Sequence, residues 1–408
     1  MLAKNPPYAY LDNAATSLPK PPGVAEAVAS AIRRAGNPGR SGHILSIRSA
    51  RDLFTARERL AELFGSSDSS RFVFTGNATA ALNQAIKGVL RPGDHVVTTS
   101  LEHNSVMRPL RRMEEAGVRV TVVPAGRDGV ADPASISAAF RKGTRMVAMV
   151  HASNVSGALQ PVGKVLAEAR KRGILTLVDA AQTAGSVPID LSALPVDLLA
   201  ASGHKGLLGP QGTGFLYVRE GVRVTPLVEG GTGSRSESDH QPEFLPDALE
   251  SGTQNSVGIA GLAVSLAWIL RKGVAAIRRK EVELVEALLD GLEKIPGVHL
   301  LGPRDPSRRV SVVSFVVEGM DPADVGRRLE SGHGVLVRAG LHCSPNGHRT
   351  LRTFPAGTVR VSPGPFTTRA EIARLLSALR RIRRSPSRIV SRATGSPWSS
   401  GRGGTGSS

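Results

Sequence analysis

From Asp94 to Asp179 the chain alternates without a break between short apolar runs and longer amphipathic segments. Residues 95–99, 118–124, 145–151 and 174–179 read as strands, and 105–116, 133–141 and 161–172 as helices. Such strands suit a mostly parallel sheet with helices on both faces, because each parallel connection must cross one face of the sheet. The fold is therefore restricted to the α/β class. In such sheets ligands collect at the carboxyl ends of the strands, where Asn154, Asp179 and the pair Glu102-His103 fall.

The flanking sequence extends the pattern. Helices are predicted over 23–35 and 46–64, a strand over 71–75, a helix opening at 76–79 and an antiparallel strand over 212–219. Beyond a polar, glycine-rich stretch at 229–255 come helices at 257–270 and 274–294. Strands at 310–317, 335–337 and 358–361 and helices at 322–330 and 368–381 then describe a small α+β domain. The expected organisation is an arm (1–18), a large domain (19–255), a small domain (256–384) and a basic tail (385–408). The tail holds Arg, Ser, Gly and Pro without a hydrophobic period and is expected to be disordered.

A length of 408 residues allows two domains, and a net charge of +18 raises the question of nucleic acid. The charge lies on Arg-rich helical faces and in the tail, without basic motifs interleaved with aromatics, so it is read as a solvated surface. Cys343 is the single cysteine, which excludes an internal disulfide framework and a cysteine-rich metal site. With no signal-like N-terminus and no apolar run beyond 257–270, the chain is expected to be cytoplasmic and free of membrane.

Chemistry concentrates around Lys205. It sits in Ser202-Gly-His-Lys-Gly206 after an apolar run, and a desolvated lysine can form a Schiff base with a carbonyl cofactor. Ser202 and His204 could hold a phosphate; taken alone, the stretch is equally compatible with a surface lysine in a glycine-rich turn. The strand–turn–helix at 71–79 is a second candidate anion site, with an ordinary N-cap by Asn77 or Thr79 as its alternative. Arg40 and His43, in the glycine-rich loop 36–43, could face a ligand.

Taken in order, the motifs Tyr-Leu-Asp-Asn-Ala-Ala-Thr (10–16), Asn-Pro-Gly-Arg-Ser-Gly-His (37–43), Phe-Thr-Gly-Asn-Ala-Thr-Ala (74–80) and Glu-His-Asn-Ser-Val (102–106) begin a longer series. It continues with His-Ala-Ser-Asn-Val-Ser-Gly (151–157), Val-Asp-Ala-Ala-Gln (178–182), Ser-Gly-His-Lys (202–205), Glu-Ser-Gly-Thr-Gln-Asn (250–255), Arg-Ala-Gly-Leu-His-Cys (338–343) and Val-Arg-Val-Ser (359–362). The series resembles the cysteine desulfurase and selenocysteine lyase branch of the class V, fold type I, pyridoxal-phosphate aminotransferase superfamily. That resemblance implies a large domain with a mainly parallel seven-stranded sheet flanked by helices, and a smaller C-terminal α+β domain carrying the thiol.

It also implies roles. Lys205 would hold pyridoxal 5'-phosphate and shuttle the substrate Cα proton. Asp179 would pair with the pyridine nitrogen, Gln182 with the phenolic oxygen, Asn154 would lie by the same edge, and His103 would stack on the ring. Ala78, Thr79, Ser202 and His204 would hold the phosphate, joined by Thr253 of a neighbouring subunit in a homodimer. Arg360 would bind the α-carboxylate of L-cysteine, with Asn154, His43 and Arg338 on the substrate side. Cys343, its thiolate favoured by Arg338 and His342, would take the sulfur as a persulfide for an acceptor protein and leave L-alanine. Within the superfamily, a selenocysteine lyase, or an aminotransferase or epimerase without a transfer thiol, are the alternatives; outside it, an inactive scaffold or sulfur-carrier partner. The chain departs from the family at Ala80, where an acid is usual, at 76–79, which lacks a Gly-Thr-Thr cup, and after the thiol at 344–348.

Overall fold

The computed structural model describes residues 8–34, 36–39 and 41–384. Arg40, the first residues of the arm and the tail at 385–408 lie outside the described residues.

The chain enters through strand β1 (Ala9–Tyr10) and helices α1 (Val24–Arg34) and α2 (Ile44–Phe64). Then β2 (Phe72–Thr75), α3 (Ala78–Val89), β3 (His95–Thr99), α4 (Asn104–Glu115), β4 (Arg119–Val123) and α5 (Pro133–Ala138) follow. The alternation ends with β5 (Thr144–Val150), α6 (Val162–Lys171), β6 (Leu175–Asp179), β7 (Leu198–Ser202) and β8 (Gly214–Val218). Strands β2 to β8 form one seven-stranded sheet in the order β2-β8-β7-β6-β5-β3-β4. All pairings from β7 through β4 are parallel, while β8 runs antiparallel to β7 and β2. Buried on both faces, the inner strands carry apolar residues in succession rather than in alternation, as in Leu198–Ser202. Helix α5 stops short of the predicted 133–141, because the chain leaves it at Ala139 and Phe140 turns into the core.

Helices α7 (Ser256–Lys272) and α8 (Val274–Glu293) lead to β9 (Val298–Leu300), β10 (Val313–Val317), α9 (Pro322–His333) and β11 (Val335–Leu336). The last elements are β12 (Arg338–Gly340), α10 (Pro345–Thr350), β13 (Thr358–Val361) and α11 (Arg369–Arg384). An antiparallel four-stranded sheet, β12-β13-β10-β9, forms the second layer, and β11 pairs in parallel with β1 instead of joining it. The arm is therefore part of the second core: Ala9 and Leu11 are fully buried there.

The boundary expected at 255/256 does not match this packing. Ile259, Leu262, Leu266 and Ile269 of α7 pack into the core of the seven-stranded sheet, and only from Leu284 onward does α8 join the second core. Between them Gly273, at φ +80°, supports an 81° bend that aims one helix at each sheet. No single helix among the described residues is long and apolar enough to cross a membrane.

A buried ion pair fixes α2 to the sheet edge. Arg57 binds both carboxylate oxygens of Glu250, at 2.8 and 3.0 Å, and lies over the Phe74 ring. Glu250 also accepts from the Phe74 backbone N–H at 2.6 Å, so every charge is paired and hydrogen-bonded. Removing one partner leaves the other charge buried and alone, at a cost of about 3–5 kcal/mol. Arg57→Met is expected to lose that amount in urea unfolding, and Arg57→Met combined with Glu250→Gln to recover part of it.

Candidate active site

Five connections converge at the carboxyl edge of the large sheet. Asp179 ends β6, where it stands beside Val150 of β5 and Ala200 of β7. The turn after β5 carries Asn154, the turn after β3 carries His103, and the loop after β7 carries Lys205; β2 leads to the amino end of α3. Close backbone approach brings the lysine loop against the turn after Asp179: a Cβ on Gly206 would meet the Ala184 carbonyl oxygen at 2.4 Å. Only glycine fits there.

Lys205 is half-buried at the site, and desolvation brings its amine down to about 8, with Asp179 opposing and Arg360 and Arg338 adding to the fall. Asp179 is 4% exposed. Burial raises its carboxyl, while the Ala181 N–H, at 2.9 Å, and Lys205 hold it down. His103 caps α4, its Nδ1 accepting from the Ser105 N–H at 3.0 Å. Burial first, then Lys205, Arg338, Arg360 and Arg108, bring the ring to about 4, so it is neutral at pH 7 with its proton on Nε2.

Asp12 and Asn154 both bind Arg360. Arg360 lies on β13 and is 1% exposed; its Nη2 binds Asp12 Oδ1 at 2.8 Å and its Nη1 donates to the Asn154 carbonyl at 3.2 Å. Directly across on β12 stands Arg338. Two guanidiniums facing each other repel, and Asp12 neutralises only one charge, so an anion between them would relieve the pair. Arg338 also comes within 3.8 Å of the Cys343 sulfur.

Cys343 is exposed, and with His342 it occupies the left-handed region, at φ +59° and +48°. Two successive non-glycine residues there are strained, and the surrounding contacts hold them. The Asn104 N–H donates to the Cys343 carbonyl at 2.9 Å, and Ser344 Oγ donates to the Glu102 carbonyl at 3.1 Å, tying the thiol turn to the His103 turn. Thr79, His103, Arg108 and Cys343 share a pocket of about 340 Å³.

Other predicted residues fall out as follows. Ser202 Oγ accepts from the Ala78 N–H at 3.0 Å, joining β7 to the start of α3, with Thr79 exposed next to it. Asn77, not Thr79, is the N-cap. Gln182 lies near Lys205 but donates to the Ala14 carbonyl at 3.1 Å. Thr253 is exposed on the segment that Glu250 anchors. Two expectations are corrected. His43 is exposed and spent as the N-cap of α2, accepting from the Ser46 N–H at 3.3 Å, because the helix start needs an acceptor. His342 is not a cation beside the thiol: burial, and then Arg360, push it down to about 2, and its Nε2 is engaged with Thr358 Oγ1 at 3.0 Å. Sequence reasoning missed Asp12 as the partner of Arg360, although the 10–16 motif contained it, and it missed the strand that sets Arg338 opposite Arg360.

A seven-stranded sheet that gathers a desolvated lysine and a buried aspartate at its carboxyl edge defines a fold type I transferase, and the comparisons agree. The aminotransferase class-V model matches residues 9–375, and the chain belongs to that family, among its cysteine desulfurases. A probable cysteine desulfurase of Methanothermobacter thermautotrophicus is 37% identical over 92% of this chain and 94% of its own length. The apo cysteine desulfurase of Thermococcus onnurineus NA1 superposes with a TM-score of 0.86 at 32% identity, covering 92% of this chain and 95% of that one. The Escherichia coli cysteine desulfurase CsdA, in an S-sulfonic acid form, gives 0.83 at 28% identity, with 92% and 94% covered.

Members of this family generally use pyridoxal phosphate, and the residues present fit it. Asn154 Oδ1, His204 Nδ1 and Arg360 Nε are buried without a hydrogen-bond partner, an arrangement that costs free energy until a polar ligand meets it. His204 and Arg360 lie close enough to Lys205 for the charges to be felt, and its depressed amine supplies the nucleophile that such a cofactor needs.

In the protein free of cofactor, Lys205 is expected to change from ammonium to free amine around pH 8, where an exposed lysine is still protonated. Asp179→Asn removes the negative charge that favours the ammonium, so the midpoint moves lower. Amine-selective labelling across pH, read by peptide mass spectrometry, measures both.

Proposed function

We propose that this protein is a pyridoxal-phosphate-dependent cysteine desulfurase that converts L-cysteine to L-alanine and holds the sulfur as a persulfide on Cys343 for an acceptor protein. The observation that carries this reading is the meeting of an exposed thiol, a guanidinium pair and a lysine of lowered pKa at one site.

Lys205 would attach the cofactor, Asp179 would face its ring nitrogen and His103 its plane. Gln182 and Asn154 would meet its oxygen edge. Ser202, His204, Thr79 and the Ala78 N–H would hold the phosphate, with Thr253 of a second copy in a homodimer. When bound, the cofactor supplies an electron sink for the charge left by removal of the substrate Cα proton.

Arg360 and Arg338 bind the substrate carboxylate, and the planar fork of Arg360 fixes its orientation. Lys205, whose amine is half free at about pH 8, accepts the Cα proton. Neutral His103 has Nε2–H to offer while its Nδ1 is occupied by the helix start. Arg338, 3.8 Å from the sulfur, favours the Cys343 thiolate. The thiolate attacks the substrate sulfur: a new S–S bond forms, the Cβ–S bond breaks with its electron pair going to carbon, and that carbon takes up a proton. The strained turn keeps the thiol at the mouth of the site, where an acceptor can reach the outer sulfur.

Cys343→Ala is expected to abolish both persulfide and alanine, and Lys205→Ala to abolish cofactor attachment as well. Arg360→Lys loses a charged hydrogen bond worth about 1.5–3 kcal/mol, which lowers kcat/KM roughly 10- to 100-fold. Alanine and protein-bound sulfane sulfur, assayed together with the visible absorption, measure these effects; alanine formed at the wild-type rate by Cys343→Ala would refute the reading.

A further inference from the structure

Behind the lysine lies a carboxylic acid that the reaction above does not use. Glu281, on α8, is 5% exposed, and its Oε2 has no hydrogen-bond partner. It lines a cleft shared with Lys205, Gln182, Ser186, Asn13 and Ser311, which has about 40 Å³ of room for the centres of water molecules. One water takes roughly 10–15 Å³ of such room, and this lining offers polar partners from four separate segments. A short file of water is therefore the natural occupant.

Desulfuration consumes no protons overall: the substrate thiol and Cys343 bring two, the persulfide keeps one, and the other balances the carbon that lost sulfur. Lys205 collects one proton, from Cα. L-alanine needs two delivered, one back to Cα and one to the carbon that lost sulfur. One thiol proton is released to solvent at the exposed Cys343 and an equal one must return to the substrate, so a donor that recharges the Lys205 amine from solvent closes the balance.

Resting on the desulfurase reading, we propose that Glu281 is this donor: its carboxylic acid passes a proton through water in the cleft to the Lys205 amine, becomes a carboxylate, and is reprotonated from solvent. Glu281–COOH and Lys205–NH2 become Glu281–COO⁻ and Lys205–NH3⁺, one proton crossing and the total charge unchanged. The charged group that bears on Glu281 is Arg278 on its own helix, one turn away, while Lys205 lines the same cleft. Arg278 Nη2 donates to the Ser307 carbonyl at 3.0 Å and its Nη1 has no partner. Burial lifts the Glu281 carboxyl to about 8 against the pull of Arg278, so the acid is protonated at neutral pH. An acid near 8 facing an amine near 8 is matched for proton transfer in either direction.

Two measurements test this. In a rapid-quench single turnover of the holoenzyme with L-cysteine, Glu281→Gln should form the Cys343 persulfide at the wild-type rate but release alanine at least roughly tenfold more slowly. Glu281→Asp, which keeps the acid, should restore part of the loss. In cofactor-free protein, the infrared spectrum should show the carbonyl stretch of a protonated carboxylic acid that shifts in deuterium oxide and is missing in Glu281→Gln. Unchanged alanine release, an equal slowing of persulfide and alanine, or absence of the acid band in wild type would each overturn the proposal. Wild-type protein that makes neither product would instead sink the desulfurase reading, leaving the infrared result to decide whether the buried acid exists.

Discussion

The site depends on charge held out of water at the carboxyl edge of the sheet. A lysine ammonium loses its hydration when buried, and a single aspartate returns only part of that energy, so the neutral amine gains ground. Lys205 reaches that condition because β7 and β6 deliver it and Asp179 to the same edge, and because Gly206 lets the loop close against the turn at Ala184. The histidines nearby respond to the same environment. His103, His204 and His342 all fall well below their ordinary values, burial being the first cause in each. The cations of this site are therefore its arginines and not its imidazoles.

The second constraint is the joint between the two cores. Arg360 sits on the small sheet and grips Asp12 of the N-terminal arm while donating to Asn154 of the large sheet. Arg309, fully buried, works alongside it through main-chain carbonyls, binding those of Ser156, Pro303 and Val312 at 2.7 Å. That guanidinium ties the turn carrying Asn154 to the entry of β10, the strand paired with the one carrying Arg360. Each carbonyl so engaged would otherwise be a buried acceptor without a donor, so the joint is specific as well as cohesive. The thiol turn hangs from the same frame, since Asn154 Nδ2 donates to the His342 carbonyl at 2.7 Å.

Much of this was legible beforehand. The βα alternation gave the parallel sheet, the acid at the end of β6 was visible as the last residue of an apolar run, and the lysine stood out among small residues. The misses have physical causes. Helix α7 was assigned to the small domain because a composition change precedes it, but a helix packs wherever its apolar face finds cover, and here that is against α1 and α2. β9 and β12 are three residues each, too short to show a period. His43 and His342 carried the right residue type for a site, yet one was needed as a helix cap and the other was buried into neutrality.

The sequence by itself determined the βα alternation of the large sheet, because apolar periodicity and glycine-rich turns are local properties of the chain, and its motif series implied the lysine, aspartate, arginine and cysteine of the proposed chemistry. Only the tertiary structure decided which of these groups carry charge and which of them meet. Arg338 and Arg360 are joined by a strand register, Asp12 and Arg360 are 348 positions apart, and Glu281 and Lys205 come from separate segments to line one cleft. Desolvation and pairing of that kind depend on what distant segments bring to one place, and no stretch of sequence contains them.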